Sequence, residues 1–142
     1  MGRERTLAKL GFGMIILLVG QYLLGMYTNL FVTIPDGVNG WQWMSNSLAI
    51  MGHVTLGTLL LVVSVALLVF GARARSRTWI VASLVGLVGI GAALAGGSSF
   101  MNGQSDAMSF VMACGLGVAM LAYAAALYAW AVSTGGRELA AG

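Results

Sequence analysis

Four long apolar runs dominate this chain and constrain its fold more than any other feature. They extend over about residues 7–31, 47–71, 79–98 and 108–131. Each is long enough to cross a hydrocarbon core of roughly 30 Å as an α-helix, which takes about 20 residues. Backbone groups cannot stay unpaired in lipid, and the runs lack the alternation over about 10 residues that membrane β-strands show. The sequence therefore predicts an all-α membrane protein, a four-helix transmembrane bundle.

The composition leaves room for one transmembrane domain over residues 1–142. Of the 142 residues, 59% are hydrophobic and only 8% are charged, whereas soluble domains carry about 25% charged residues. The links between the runs are short: "TIPDGVNGWQW", "ARARSR" and "GGSSFMNGQSD". Because short links make consecutive helices antiparallel, the predicted topology is up-down-up-down.

The charge distribution predicts the orientation in the membrane. All seven basic residues fall at one end of the predicted bundle: Arg3, Arg5, Lys9, Arg73, Arg75, Arg77 and Arg137. The positive-inside rule then predicts a multi-pass protein of the plasma membrane with a cytoplasmic N-terminus and C-terminus. Tryptophans near both interfaces suggest an aromatic belt: Trp41, Trp43, Trp79 and Trp130. The net charge of +3 thus indicates orientation in a lipid bilayer and no nucleic-acid partner.

His53 is the one histidine of the chain and lies inside the second apolar run, in "AIMGHVTLGTLL". Gln21 and His53 each lie ten residues from the outer end of their run, which is about 15 Å at 1.5 Å per residue. Asn29 shares a helical face with Gln21. We therefore expect a polar line that descends from the outer side to a Gln21–His53 pair. Three polar residues are expected to cap it at the outer mouth: Asn102, Asp106 and Ser109.

Two interpretations of His53 stay open on the sequence alone. Ionisable residues inside a membrane are rare, and they suggest a functional site. His53 would then ligate a haem iron or hydrogen-bond a quinone. Alternatively, a neutral His53 hydrogen-bonds Gln21 or a helix carbonyl and only holds two helices together.

Two short motifs carry a resemblance to a known family. "QYLLG" (21–25) and "HVTLG" (53–57) resemble the Q-x-x-L-G and H-x-x-L-G patterns in the four-helix halves of haem A synthase, and membrane b-type cytochromes more generally. The whole chain resembles small four-helix bacterial membrane proteins. The first resemblance implies haem b at His53. In that family histidines from more than one helix hold the haem, so this chain would need five-coordinate iron, a shared haem or a methionine partner such as Met112.

The chain has too few suitable residues for a thiol pair or a zinc site. Cys114 is the only cysteine, which excludes a C-x-x-C thiol pair, and a zinc site would need three or four ligands together. The leading hypothesis is a haem- or quinone-associated redox membrane protein with cofactor-binding residues His53, Gln21, Asn29 and Met112.

The alternative hypothesis is a non-enzymatic membrane subunit or scaffold. The third run carries small residues at spacings of three and four, a pattern that favours close helix packing: Ala82, Gly86, Gly89, Ala93 and Gly96. This stripe would pack against a partner helix, in a homodimer or a membrane complex.

Overall fold

The computed structural model consists of helices joined by short links. The long helices are α1 (Gly2–Phe31), α3 (Leu48–Arg73), α4 (Arg77–Gly103) and α5 (Asp106–Leu139), and a short helix α2 (Gly40–Trp43) is followed by a 3₁₀ turn. The structure describes residues 2–139, with side chains for residues 2–134. The side chain of Arg137 and the last residues of the predicted domain lie outside the described part. Within residues 2–139, four helices are long and apolar enough to cross a membrane, so the predicted all-α transmembrane bundle is confirmed.

The long helices extend further than the sequence predicts, and α4 does so at the end where a link is predicted. The stretch "GGSSFMNGQSD" is read from its glycines and serines as a link, yet α4 continues through it to Gly103. A Cβ at Gly96 would lie 3.1 Å from the carbonyl oxygen of Met108 on α5. These glycines therefore permit a close helix approach and do not break the helix. The turn itself falls at Gln104, whose φ of 49° is left-handed.

The contacts between neighbouring helices run antiparallel. Gln21 of α1 lies against Gly57 of α3, and four residues further along α1 Gly25 lies against His53. The same reversal relates α3 to α4, since Gly71 contacts Trp79 whereas Gly57 faces Leu94.

Trp79 closes the end of the bundle where α1 begins and α3 is linked to α4. We call this the inner end and the opposite one the outer end, after the predicted orientation. Trp79 is only 1% exposed. Its indole packs where α1 has no side chain, at Gly11, and its backbone and Cβ lie against Gly71 of α3. The prediction that Trp79 belongs to an aromatic belt is therefore wrong, because belt residues lie at the lipid interface. Trp79 is a core residue that links three helices.

The small-residue stripe of α4 packs within the chain. Gly86 lies under the ring of Tyr123, and Gly89 contacts the backbone of Gly115 and Ala119. The stripe is consequently occupied by α5 and offers no surface to a partner helix. A homodimer or complex partner, which stays a prediction, would need another face of the bundle.

Two glycines of α4, one in the stripe and one outside it, provide a matched pair of substitutions that tests the α4–α5 contact. A Cβ at Gly89 would lie 2.5 Å from the carbonyl oxygen of Gly115, whereas a Cβ at Gly91 meets no atom within 4 Å. We expect Gly89→Ala to lower the free energy of unfolding by about 1–3 kcal/mol, because backbone must move. We expect Gly91→Ala to leave it unchanged or raise it by up to about 1 kcal/mol, since alanine favours helix. Unfolding in detergent, followed by circular dichroism, measures both; equal effects would contradict the assigned α4–α5 contact.

Candidate functional site

The predicted Gln21–His53 pair is formed between α1 and α3. The Gln21 Nε2 group donates to the backbone carbonyl of His53 at 3.0 Å, and it lies 3.4 Å from His53 Nε2. Gln21 is only 7% exposed, and His53 is partly buried. The sequence predicts that the two residues lie at one depth. The structure adds that the Gln21 amide contacts both the ring and the backbone carbonyl of His53.

The two sequence motifs interlock at this point. A Cβ at Gly25, the glycine of "QYLLG", would lie 2.8 Å from His53 Cε1. A Cβ at Gly57, the glycine of "HVTLG", would lie 3.1 Å from Gln21 Nε2. Each polar side chain therefore occupies the space that the glycine of the other motif leaves free. The first residue and the final glycine of each motif therefore both have a physical role in this packing.

The hydrogen bonds assign the tautomer of His53. A backbone carbonyl only accepts, so the group of Gln21 that faces it must be the NH₂. The same NH₂ also faces His53 Nε2, which then accepts and leaves the ring proton on Nδ1. The pair thus contains a donor, His53 Nδ1–H, and an acceptor, Gln21 Oε1. Both atoms are buried without a hydrogen-bond partner among the described residues.

The pair lines a cavity of about 490 Å³ in the outer half of the bundle. This volume is within the range of about 300–1,000 Å³ of small-molecule sites. The innermost lining residues are apolar and 1–8% exposed: Leu60, Ile90 and Leu116. At the outer end the lining includes the exposed carboxylates of Asp36 and Asp106. The cavity is therefore closed toward the inner end of the bundle and reaches its outer end.

The structure distributes the other predicted site residues around this cavity. Asn29 lines it from an exposed position on α1, and Met112 lines it from α5. Ser109 also lines it, with a hydroxyl that is buried and without a partner in the described part of the chain. Asn102 instead accepts a hydrogen bond from Asn39. Of the predicted capping residues, Asp106 and Ser109 are thus at the cavity.

A second buried polar contact was missed by sequence reasoning. The hydroxyls of Ser64 on α3 and Tyr123 on α5 lie 2.8 Å apart, and both residues are 0% exposed. Neither residue lines the cavity, and Ser64 lies about one turn of α3 beyond Leu60, which does. No local pattern links two residues 59 positions apart. Their separation from the site indicates a structural role.

No protein family, curated protein or solved structure matches this chain. The resemblances to haem A synthase and b-type cytochromes therefore stay predictions. What can be argued about function comes from the cavity and the residues that line it.

The Ser64–Tyr123 contact predicts a stability effect with no effect on the cavity. We expect Tyr123→Phe to lower the free energy of unfolding by about 1 kcal/mol, because a buried hydroxyl loses its partner. Tyr128→Phe is the control, since Tyr128 is 73% exposed. Adding Ser64→Ala to Tyr123→Phe should recover part of the loss in a double-mutant cycle. Strict additivity of the two substitutions would show that the hydroxyls do not interact.

Proposed function

We propose that the protein binds a quinone in its outer cavity, as a quinone-associated redox membrane protein. One observation carries the proposal: a buried donor and a buried acceptor, both without partners in the described structure, lie in the intramembrane pair that lines the cavity. Leaving such groups unpaired costs about 1–3 kcal/mol each. A ligand that pairs with them is correspondingly favoured.

The chemistry of a quinone headgroup matches this pair. A quinone carbonyl accepts a hydrogen bond from His53 Nδ1–H, and a quinol hydroxyl both accepts from it and donates to Gln21 Oε1. The quinol can therefore form hydrogen bonds with both unpaired groups of the site, whereas the quinone carbonyl can do so with only one. Asn29, exposed at the outer part of the cavity, would line the path to the headgroup.

Haem is less well matched by the same hydrogen bonds. A haem iron needs the lone pair of a neutral imidazole nitrogen. His53 Nε2 faces the Gln21 amide at 3.4 Å, and Nδ1 carries the ring proton in the assigned tautomer. Iron ligation would require the Gln21–His53 contact to break. We therefore place quinone ahead of haem b, with Met112 as a wall residue and not an axial ligand.

We further propose that the basic end of the bundle is cytoplasmic and that the membrane is the plasma membrane. The antiparallel contacts put the start of α1 and the α3–α4 link at one end, where Gly11 meets Trp79. The basic residues with described side chains are all at that end. The positive-inside rule supports a cytoplasmic location for it, and hence an outward-facing cavity.

Binding of a tail-less benzoquinone and its quinol tests the site. We expect titration calorimetry in detergent to show binding to the wild type, with the quinol bound more tightly. His53→Leu should weaken binding by about tenfold or more, because the donor is lost. Gly25→Ala should do the same without unfolding the protein, since its Cβ would displace the end of a side chain. Gly20→Ala is the matched control, because its Cβ meets no atom within 4 Å.

An absorption spectrum separates quinone from haem. Protein purified from cells supplied with a haem precursor should be colourless, both air-oxidised and dithionite-reduced. A Soret band that disappears in His53→Ala would overturn the quinone proposal in favour of haem. Absence of quinone and quinol binding to a folded, colourless wild type would leave His53 as a contact between helices.

The orientation is tested by cysteine labelling in whole cells. In a Cys114→Ser background, a membrane-impermeant maleimide should label Ser45→Cys, at the cavity end. It should label Thr78→Cys, at the basic end, only after the cells are opened; both positions are exposed. The reverse pattern would show an inward-facing cavity.

A further inference from the structure

We infer that the quinone is a lipid-borne one, whose isoprenoid tail passes sideways between α1 and α5 into the outer leaflet. This rests on the proposed quinone site and names the ligand class, a long-tailed amphiphile and not a water-soluble quinone. The occupant of the gap between α1 and α5 is thus the tail of the same ligand whose headgroup meets Gln21 and His53.

The cavity opens between these two helices. Tyr22 and Met26 of α1 line it and are 43% and 38% exposed. Ala113 of α5 lines it and is exposed as well. Residues that line a cavity and are also exposed mark an opening. Beside the ring of Tyr22, its walls carry the small side chain of Ala113 and the flexible one of Met26, and methionine adapts to a chain-like ligand.

Contacts through the bundle place both walls of the opening at one depth. Gln21 of α1 lies at Gly57, and Gly57 faces Leu94 of α4. The neighbouring Ala93 contacts Gly115 of α5. The residue after Gln21 on α1 is therefore level with the α5 residues near position 113.

This depth is within the hydrocarbon core. Tyr22 precedes the end of α1, Phe31, by nine residues, which is about 13 Å at 1.5 Å per residue. The hydrocarbon core is about 30 Å thick. The opening therefore faces acyl chains, where an isoprenoid tail dissolves and a polar solute does not.

The outer end of the cavity is covered by the segment before α3. Gln104 donates to the carbonyl of Val38 at 3.1 Å, and Asn39 donates to Asn102 at 3.2 Å. Gly40 packs against the backbone of Met101. These contacts pin the segment onto the end of α4. The exposed carboxylates of Asp36 and Asp106 still give the cavity a polar path to its outer end. The lateral opening is therefore the place for the apolar tail.

Closing the opening should weaken binding through the tail and leave binding through the headgroup unchanged. We expect Ala113→Trp to weaken binding of a benzoquinone with a long isoprenoid tail by about tenfold or more. Binding of the tail-less benzoquinone should stay within about twofold of wild type, since the headgroup pair is untouched. Both are measured in lipid nanodiscs with the full chain. Ala124→Trp is the control on α5, because Ala124 is exposed and does not line the cavity.

A second variant tests the same opening in case the first does not fold. Met26→Trp closes the opening from the α1 wall, with Leu23→Trp as its control, since Leu23 is 62% exposed and away from the cavity lining. Unchanged binding of the long-tailed quinone in both closing variants would overturn the lateral route. An equal loss of both probes would also overturn it, because the effect would then be on the headgroup. If folded wild type binds neither probe, the proposed function itself fails.

Discussion

The reciprocal packing of two polar side chains on two glycines is the interaction on which the site depends. Gln21 lies over Gly57 and His53 over Gly25, so α1 and α3 approach closely at the same place where both carry a polar group. A larger residue at either glycine would displace the polar side chain that packs on it. In a membrane, where apolar burial adds little to helix association, such close packing with a hydrogen bond is an effective contact.

This contact leaves one polar atom of each residue without a hydrogen bond in the described structure. Gln21 directs its NH₂ at His53, and its carbonyl oxygen and the far ring nitrogen of His53 then have no partner in the described structure. A pair that only joined helices would be expected to satisfy its own atoms, because unpaired buried groups are expensive. The unsatisfied atoms and the cavity beside them distinguish this pair from the Ser64–Tyr123 contact, where two buried hydroxyls satisfy each other.

The spans and the Gln21–His53 pair could be predicted because both follow from counting along helices. Run length sets the number of crossings, and equal depth on facing helices brings the two residues together. The continuation of α4 past Gly96 could not be predicted. Glycine in sequence is read as a breaker, and only the neighbouring α5 shows that it permits contact. The burial of Trp79 could not be predicted for a similar reason, since its indole packs on a glycine of another helix, Gly11 of α1.

The fold explains why the cavity is in the outer half. Glycine-mediated contacts hold α1 to α3 and α4 to α5 as two close pairs. At the inner end Trp79 joins α4 to α1 and α3, and below the cavity Tyr123 joins α5 to α3. The outer half contains the cavity where the two pairs face each other. The segment before α3 is also held on the end of α4, so the gap is confined to the place between α1 and α5 and is compatible with a stable fold.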